Sequence, residues 1–210
     1  KEPVVLPIHL NIPVSMLASR RDLLRTKYPQ HGKIAVIISR LEREKNILMA
    51  LNAFKNIYQS NPGVGLVIIG DGSEKSNLEK VVVKLGLEEE VSFDGWHEDA
   101  IPYFLSADLF LSTSNYEGYG RTLMEAGAAG CPIITTDVGI VGEVLNNTNS
   151  LISKPGDLGR FQNNLEYALK HGEEMKEKAA LAREAVTHYM SFTENDRLEI
   201  LRRSWQACSK

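Results

Sequence analysis

A parallel sheet of six strands between two layers of helices, followed by further helices, is the fold class this sequence predicts. Three observations carry it. Short buried-type runs of strand length alternate with amphipathic helical stretches. Every unusual polar segment comes directly after one of those runs. After Ser153 the pattern is helical to the end.

Taken in order, Val4 to His9 reads as a strand and Val14 to Lys27 as a helix, with Pro29, His31 and Gly32 as a break. The six sheet strands follow at Lys33 to Ser39, Val64 to Gly70, Glu90 to Gly95, Asp108 to Thr113, Pro132 to Thr136 and Ser150 to Ser153. Between the first two, Asn46 to Gln59 places Ile47, Leu48, Leu51, Phe54 and Tyr58 on one helical face. Leu78, Val81, Val82 and Leu85 do the same before Gly86, a residue suited to end a helix. Pro102 with Tyr103, Phe104 and Leu105 marks a short third helix, and the small, unbranched residues from about 120 to 129 a fourth. Further helices begin near Asp157, Glu173 and Thr193. The expected organisation is a hinge-side lead-in strand and helix over 1–31, one nucleotide-binding α/β domain over 32–190, and a C-terminal helix over 191–210. Lys1 to Pro7 already reads as extended chain without a start methionine, as expected of a fragment or of a processed or edited chain.

Composition narrows the chemistry. The 210 residues are 43% hydrophobic and 24% charged, enough for a real core. With a net charge of -3 and cations spread among acids, no basic stripe marks a nucleic-acid partner. Cys131 and Cys208 make no disulfide framework, which fits a reducing compartment, and the five histidines are scattered, so no metal site is expected. The longest apolar runs are strand-length, so no transmembrane segment is expected, and there is no signal-peptide pattern.

The polar segments after the strands should line one edge of the sheet, because in such sheets ligands bind outside the carboxyl ends of the strands. One stretch stands out: Ser114-Asn115-Tyr116-Glu117-Gly118-Tyr119-Gly120-Arg121-Thr122-Leu123-Met124-Glu125, with two glutamates eight residues apart. Gly118 and Gly120 permit close backbone approach to a ligand, and a helix opening beside Glu117 offers unpaired N–H groups to a phosphate or a set of hydroxyls. Arg121, a cation in that first turn, opposes the helix dipole and pairs with Glu125 in the weaker order; a bound anion would account for it. A glycine-rich turn with solvated charges is the plain alternative. After the first strand, Arg40 and Lys45 stand where they reach a diphosphate, and solvated loop cations are the alternative there. Gly70-Asp71-Gly72 lacks the third glycine of a dinucleotide fingerprint and reads as a turn with Asp71 as helix N-cap. No Asp-x-Asp that would suggest a metal holding a nucleoside diphosphate is present. Glu125 lies about 7 Å along the helix from its start. A carboxylate cannot favourably face a diphosphate, so each glutamate should accept hydrogen bonds from hydroxyls, one on a sugar and one on a ribose, with the diphosphate between. That describes a nucleotide sugar.

These segments occur in a recurring order: Ser39-Arg40-Leu41 through Glu44-Lys45-Asn46; Gly70-Asp71-Gly72-Ser73-Glu74; Leu85-Gly86-Leu87 through Val91-Ser92-Phe93-Asp94-Gly95; Ala107-Asp108-Leu109-Phe110-Leu111; Ser114 to Pro132; and Thr135-Thr136-Asp137-Val138-Gly139 with Glu143. Together, from about Lys33 to Leu151, they resemble the donor-binding domain of retaining glycosyltransferases of the two-domain Rossmann-like (GT-B) type, in particular glycosyltransferase family 4, the glycosyl transferases group 1. The resemblance implies that Glu117 contacts hydroxyls of the transferred sugar. It implies that the backbone N–H groups of Tyr119, Gly120 and Arg121 meet the sugar or the distal phosphate, with Gly118 in the same turn. Arg40 and Lys45 would hold the diphosphate and stabilise its leaving-group charge in place of a metal. Thr122 would donate to a phosphate, Glu125 would hold the ribose, and the Trp96-His97 turn would lie against the base. Ile140, where such proteins often carry a second glycine, and Pro7 to Pro13, without the usual Asn-Gly turn, depart from the pattern.

The expected function is the donor half of a retaining, metal-independent hexosyltransferase that takes a UDP- or GDP-linked sugar and needs no cofactor. An N-terminal acceptor domain, absent from this chain, would complete the cleft, so the chain alone is expected to bind nucleotide and transfer little. Cytoplasmic location is expected, with any membrane contact made through the absent half. A nucleotide-sugar epimerase or phosphorylase half, a non-catalytic nucleotide-sugar-binding module and a Rossmann-like domain of another function are the alternatives.

Overall fold

The computed structural model describes residues 22–191, together with Asp196 and Glu199. The strand expected at Val4 to His9, most of the helix expected from Val14, the Pro7 to Pro13 turn, Cys208 and the helix expected from Thr193 lie outside the described residues, apart from those two.

Six parallel strands form one sheet in the order β3-β2-β1-β4-β5-β6: β1 Lys33–Ile38, β2 Val64–Ile69, β3 Val91–Gly95, β4 Leu109–Ser112, β5 Ile133–Thr136 and β6 Leu151–Ser153. Each falls within the run expected for it. This is the doubly wound order of a Rossmann-like domain, and it reverses direction between β1 and β4. The helices are α1 Leu23–Lys27, α2 Ile47–Tyr58, α3 Lys75–Leu85, α4 Ile101–Ser106, α5 Arg121–Ala129, α6 Leu158–Lys170 and α7 Gly172–Met190.

Burial on both faces explains the near-continuous apolar strands. Along β1, Ala35 and Ile37 face a core shared with Leu51 and Phe54 of α2, Leu78 of α3 and Phe161 of α6. Ile34, Val36 and Ile38 face the other, shared with Leu24 of α1, Phe104 of α4, Leu123 of α5 and Val186 of α7. Each fully buried side chain of this size contributes about 1.5–3 kcal/mol. Leu48, expected on the buried face of α2, is instead 44% exposed. The helix buries Met49, Ala50 and Ala53 between its larger residues, turning its contact stripe away from position 48.

The Gly70-Asp71-Gly72 turn corrects a second expectation. Asp71 does not cap α3: its carboxylate accepts from the N–H of Gly72 at 2.8 Å, and Glu74 occupies the N-cap position without a side-chain bond to the helix backbone. The two glycines have another use. A Cβ on Gly70 would lie 1.8 Å from the Ser39 carbonyl oxygen, and one on Gly72 would lie 2.5 Å from that of Leu41. Their absence lets this turn pack on the loop after β1, where the Leu41 N–H donates to the Asp71 carbonyl at 2.8 Å.

Candidate active site

The loops after β1 and β4 meet at the point where the strand order reverses. After β1, Arg43–Lys45 forms one 3-10 turn, and Asn46 then adopts the left-handed conformation at φ 45° before α2 starts. It is the one non-glycine residue with positive φ among those described. Asparagine tolerates this region better than most residues, and such positions gather at functional sites. The reversal at Asn46 directs Lys45 inward, and the Lys45 carbonyl accepts from the Thr113 hydroxyl at 2.9 Å. On the other side, the Asn115 N–H donates to the Glu44 carbonyl at 2.7 Å, and the amides of Asn46 and Asn115 pair at 3.2 Å. These bonds lock the two loops together.

The chemistry sits between them. Lys45 Nζ lies 2.6 Å from Glu117 Oε1, and the Ser114 hydroxyl donates to the same oxygen at 2.8 Å. The two side chains of the ion pair are only 12% and 15% exposed. Lys45, Glu117 and Thr122 line a small cleft with Ser39, Ser112 and Thr113. The Thr136 hydroxyl donates to the Ser114 carbonyl at 2.6 Å, fixing this loop from β5.

Gly118 and Tyr119 carry the chain to Gly120, whose φ of 86° makes it a left-handed N-cap for α5. The N–H groups of Arg121 and Thr122, the first two positions of α5, have no intrahelical acceptor, while those of Leu123 and Met124 donate to the Gly120 carbonyl at 3.0 and 3.2 Å. Gly139, at φ 61°, lies behind: a Cβ there would come within 2.6 Å of the Tyr119 carbonyl and 3.2 Å of the Glu117 Cβ. Arg121 Nε meets Glu125 Oε1 at 2.8 Å, with Arg121 exposed and Glu125 largely covered. Glu125 is thus held by Arg121 of its own helix and does not line the Lys45 cleft.

Arg40 is placed differently from Lys45. It is 73% exposed and pairs with Glu44 at 2.9 Å. Trp96 is 69% exposed just beyond the end of β3, and Nε2 of His97 lies 3.1 Å from the Asp94 carbonyl. The structure thus joins Lys45, Glu117 and Thr122 in one cleft and leaves Arg40 and Trp96 on neighbouring loops at the same strand ends. The sequence placed Ser114, Thr136, Asn46 and Gly139 within segments expected at this edge but gave none of the four a role of its own. Asn46, a turn-former directly before an apolar helix, carried a local signal for its reversal.

Among the described residues no group of three His, Cys, Asp or Glu side chains is placed to hold a metal ion. No described helix is long and apolar enough to cross a membrane.

Comparison with known proteins supplies the family. The family model described as glycosyl transferases group 1 matches residues 21–185. The chain is similar to the lipopolysaccharide core biosynthesis glycosyltransferase LpsE of Rhizobium meliloti strain 1021, at 30% identity over 115 residues covering 55% of this chain and 33% of LpsE. It spans well under half of that relative's length. Anabaena Alr3699/HepE, solved in complex with UDP, superposes with a TM-score of 0.75 at 22% identity, covering 91% of this chain and 53% of HepE. The C-terminal domain of the group 1 protein LpcC from Francisella tularensis, a crystal structure of that domain, superposes with a TM-score of 0.73 at 22% identity, covering 81% of this chain and 92% of LpcC's domain.

Proposed function

The chain belongs to the glycosyl transferases group 1 family, and from that premise we propose that it is the donor-binding half of a retaining, metal-independent hexosyltransferase. The observation that carries this reading is the Lys45–Glu117 pair beside the N-terminus of α5, at the reversal of the strand order. A cation and a hydroxyl-accepting carboxylate in one cleft, with the start of α5 beside it, match the three parts of a sugar diphosphate.

In this reading a UDP- or GDP-linked sugar lies along the strand ends. Glu117 accepts from sugar hydroxyls, and the backbone of Gly118, Tyr119, Gly120 and Arg121 with the Thr122 hydroxyl surrounds sugar and distal phosphate. Glu125 accepts from the ribose, and Trp96 and His97 lie against the base. As the bond from the anomeric carbon to the diphosphate breaks, its electron pair goes to the diphosphate. Lys45 and Arg40 stabilise that charge, and the acceptor hydroxyl oxygen then bonds on the face the diphosphate leaves while its proton passes to an oxygen of the departing diphosphate. Arg40 is recruited at little cost, since an exposed i,i+4 pair such as Arg40–Glu44 is worth about 0.3–0.5 kcal/mol. Residues 32–190 form the donor domain. The acceptor is held by a second domain, which also makes any contact with the cytoplasmic face of a membrane.

Titration calorimetry with UDP and GDP tests the reading. The chain binds at least one of them, and Lys45→Ala and Arg40→Ala weaken that binding about tenfold or more, the scale of a charge-assisted contact of 1.5–3 kcal/mol. Wild-type affinity in both variants removes the phosphate assignment. Robust sugar transfer by these 210 residues alone removes the second domain from the proposal.

A further inference from the structure

The edge strand β3 departs from its regular register at one residue. Ile68 of β2 pairs with Phe93, but the next residue, Ile69, pairs with Gly95, so Asp94 is the extra residue of a β-bulge. Bulges are rare between parallel strands and re-aim the side chain they insert. Phe93 packs against the core on the α2 side. Asp94 points to the other side, between α1 and α4, where its side chain is 7% exposed.

There it is the centre of a network. The Tyr103 hydroxyl of α4 donates to Asp94 Oδ2 at 2.7 Å, and the Lys27 ammonium of α1 pairs with Oδ1. His97 folds back over the strand end: its Nε2 lies 3.1 Å from the Asp94 carbonyl oxygen and 3.8 Å from Oδ2, and its ring sits 5.0 Å from that of Tyr103. Gly95 turns the chain at φ 73°, and its carbonyl accepts from the Gly70 N–H at 2.7 Å. At the far end of the same loop, Asp99 Oδ1 accepts from the Ile101 N–H at 3.0 Å and starts α4. The loop from Trp96 to Ala100 is therefore tied down at both ends, while the indole of Trp96 stays exposed at the strand ends.

The hold on His97 ties the network to the turn that presents Trp96. We propose that Asp94 is a positioning residue which, with Tyr103 and Lys27, fixes the Trp96-His97 turn and thereby sets which nucleobase the donor site accepts. The inference rests on the donor-binding reading above. The burial of Asp94 raises its pKa, but the hydrogen bonds from Lys27 and Tyr103 and the charges of Lys27 and His97 outweigh this and hold it below the ordinary range. The carboxylate form that the network requires is thus the one the site favours.

The test compares the affinities of UDP, CDP, GDP and ADP in the wild type, in Asp94→Asn and in Tyr103→Phe. Tyr103→Phe removes one hydrogen bond and keeps the ring against His97, which covers the case of a poorly folded Asp94→Asn. The expected result is a wild type that prefers one base, with the ratio of best to worst affinity falling at least threefold in the variants. A merely structural role weakens all four alike and leaves the ratio unchanged, and that outcome overturns the inference. Equal affinity for all four in the wild type overturns it as well, since the turn then reads no base. A wild type that binds none of the four overturns the donor-binding reading itself.

Discussion

Lys45 and Glu117 are two largely covered charges that stabilise each other in a cleft still open to water. Removing one partner strands the other, and for fully buried pairs this costs about 3–5 kcal/mol. Glu117 retains the Ser114 hydroxyl and part of its hydration, so Lys45→Met should cost less, about 1–3 kcal/mol by urea denaturation. A double-mutant cycle with Glu117→Gln should give a coupling of about 1–2 kcal/mol, and strict additivity would show that the pair contributes nothing to stability. Gly139 is a second sensitive residue. Alanine there meets both an unfavourable φ and the Tyr119 carbonyl. Gly139→Ala should lower stability by about 1–2 kcal/mol and displace the Glu117 turn, so that affinity for UDP falls with it. Unchanged UDP affinity in a folded Gly139→Ala would show that the turn does not depend on this close approach.

Helices α5 and α7 show how an element positions the site from behind. Gly127 sits in the middle of α5, where alanine would raise helix propensity by about 1 kcal/mol. A Cβ there would come within 2.7 Å of Val186 Cγ2 on α7. Overpacking of this kind costs about 1–3 kcal/mol, so Gly127→Ala should be destabilising in net and Gly127→Ala with Val186→Ala less so. A thermal melt that places the single variant above the wild type would show that α7 yields freely. The strands and long helices were legible in the sequence because apolar periodicity fixes them locally. Leu48 and Asp71 were misread because their positions depend on neighbours. Small residues set the contact stripe of α2, and the packing of Gly72 on Leu41 sets where α3 begins.

At the scale of the whole molecule, the edge of the sheet where the polar segments gather was legible and the internal wiring of the candidate site was not. Five polar segments after five strands could be assigned to one edge, because parallel strands all end on the same side. The partners of Glu117 could not be assigned, since Ser114, Thr136 and Gly139 are brought together by β4 and β5 lying side by side. The same assembly should set the acid stability of the fold through His31 and Asp94, beside a contribution from Glu42, whose carboxyl the Ser73 hydroxyl and N–H hold below its ordinary value. Burial of His31, partly opposed by the charge of Glu90, holds its pKa below the ordinary 6.5. The unfolded chain therefore takes up this proton first. The stabilisation is complete above pH 6.5 and is lost as the pH falls from there through the lower folded value. Asp94, held below its ordinary 3.8, acts in a second, more acidic window: its contribution is complete above about pH 3.8 and is lost as the pH falls through its folded value. Urea midpoints measured from pH 8 to pH 2.5 should then decline in two steps. His31→Gln should flatten the first step, and Asp94→Asn should reduce the second, leaving the part due to Glu42, while keeping the first in place. A wild-type slope below pH 3.8 in Asp94→Asn would mean that the Asp94 network does not hold the edge strand in the folded state.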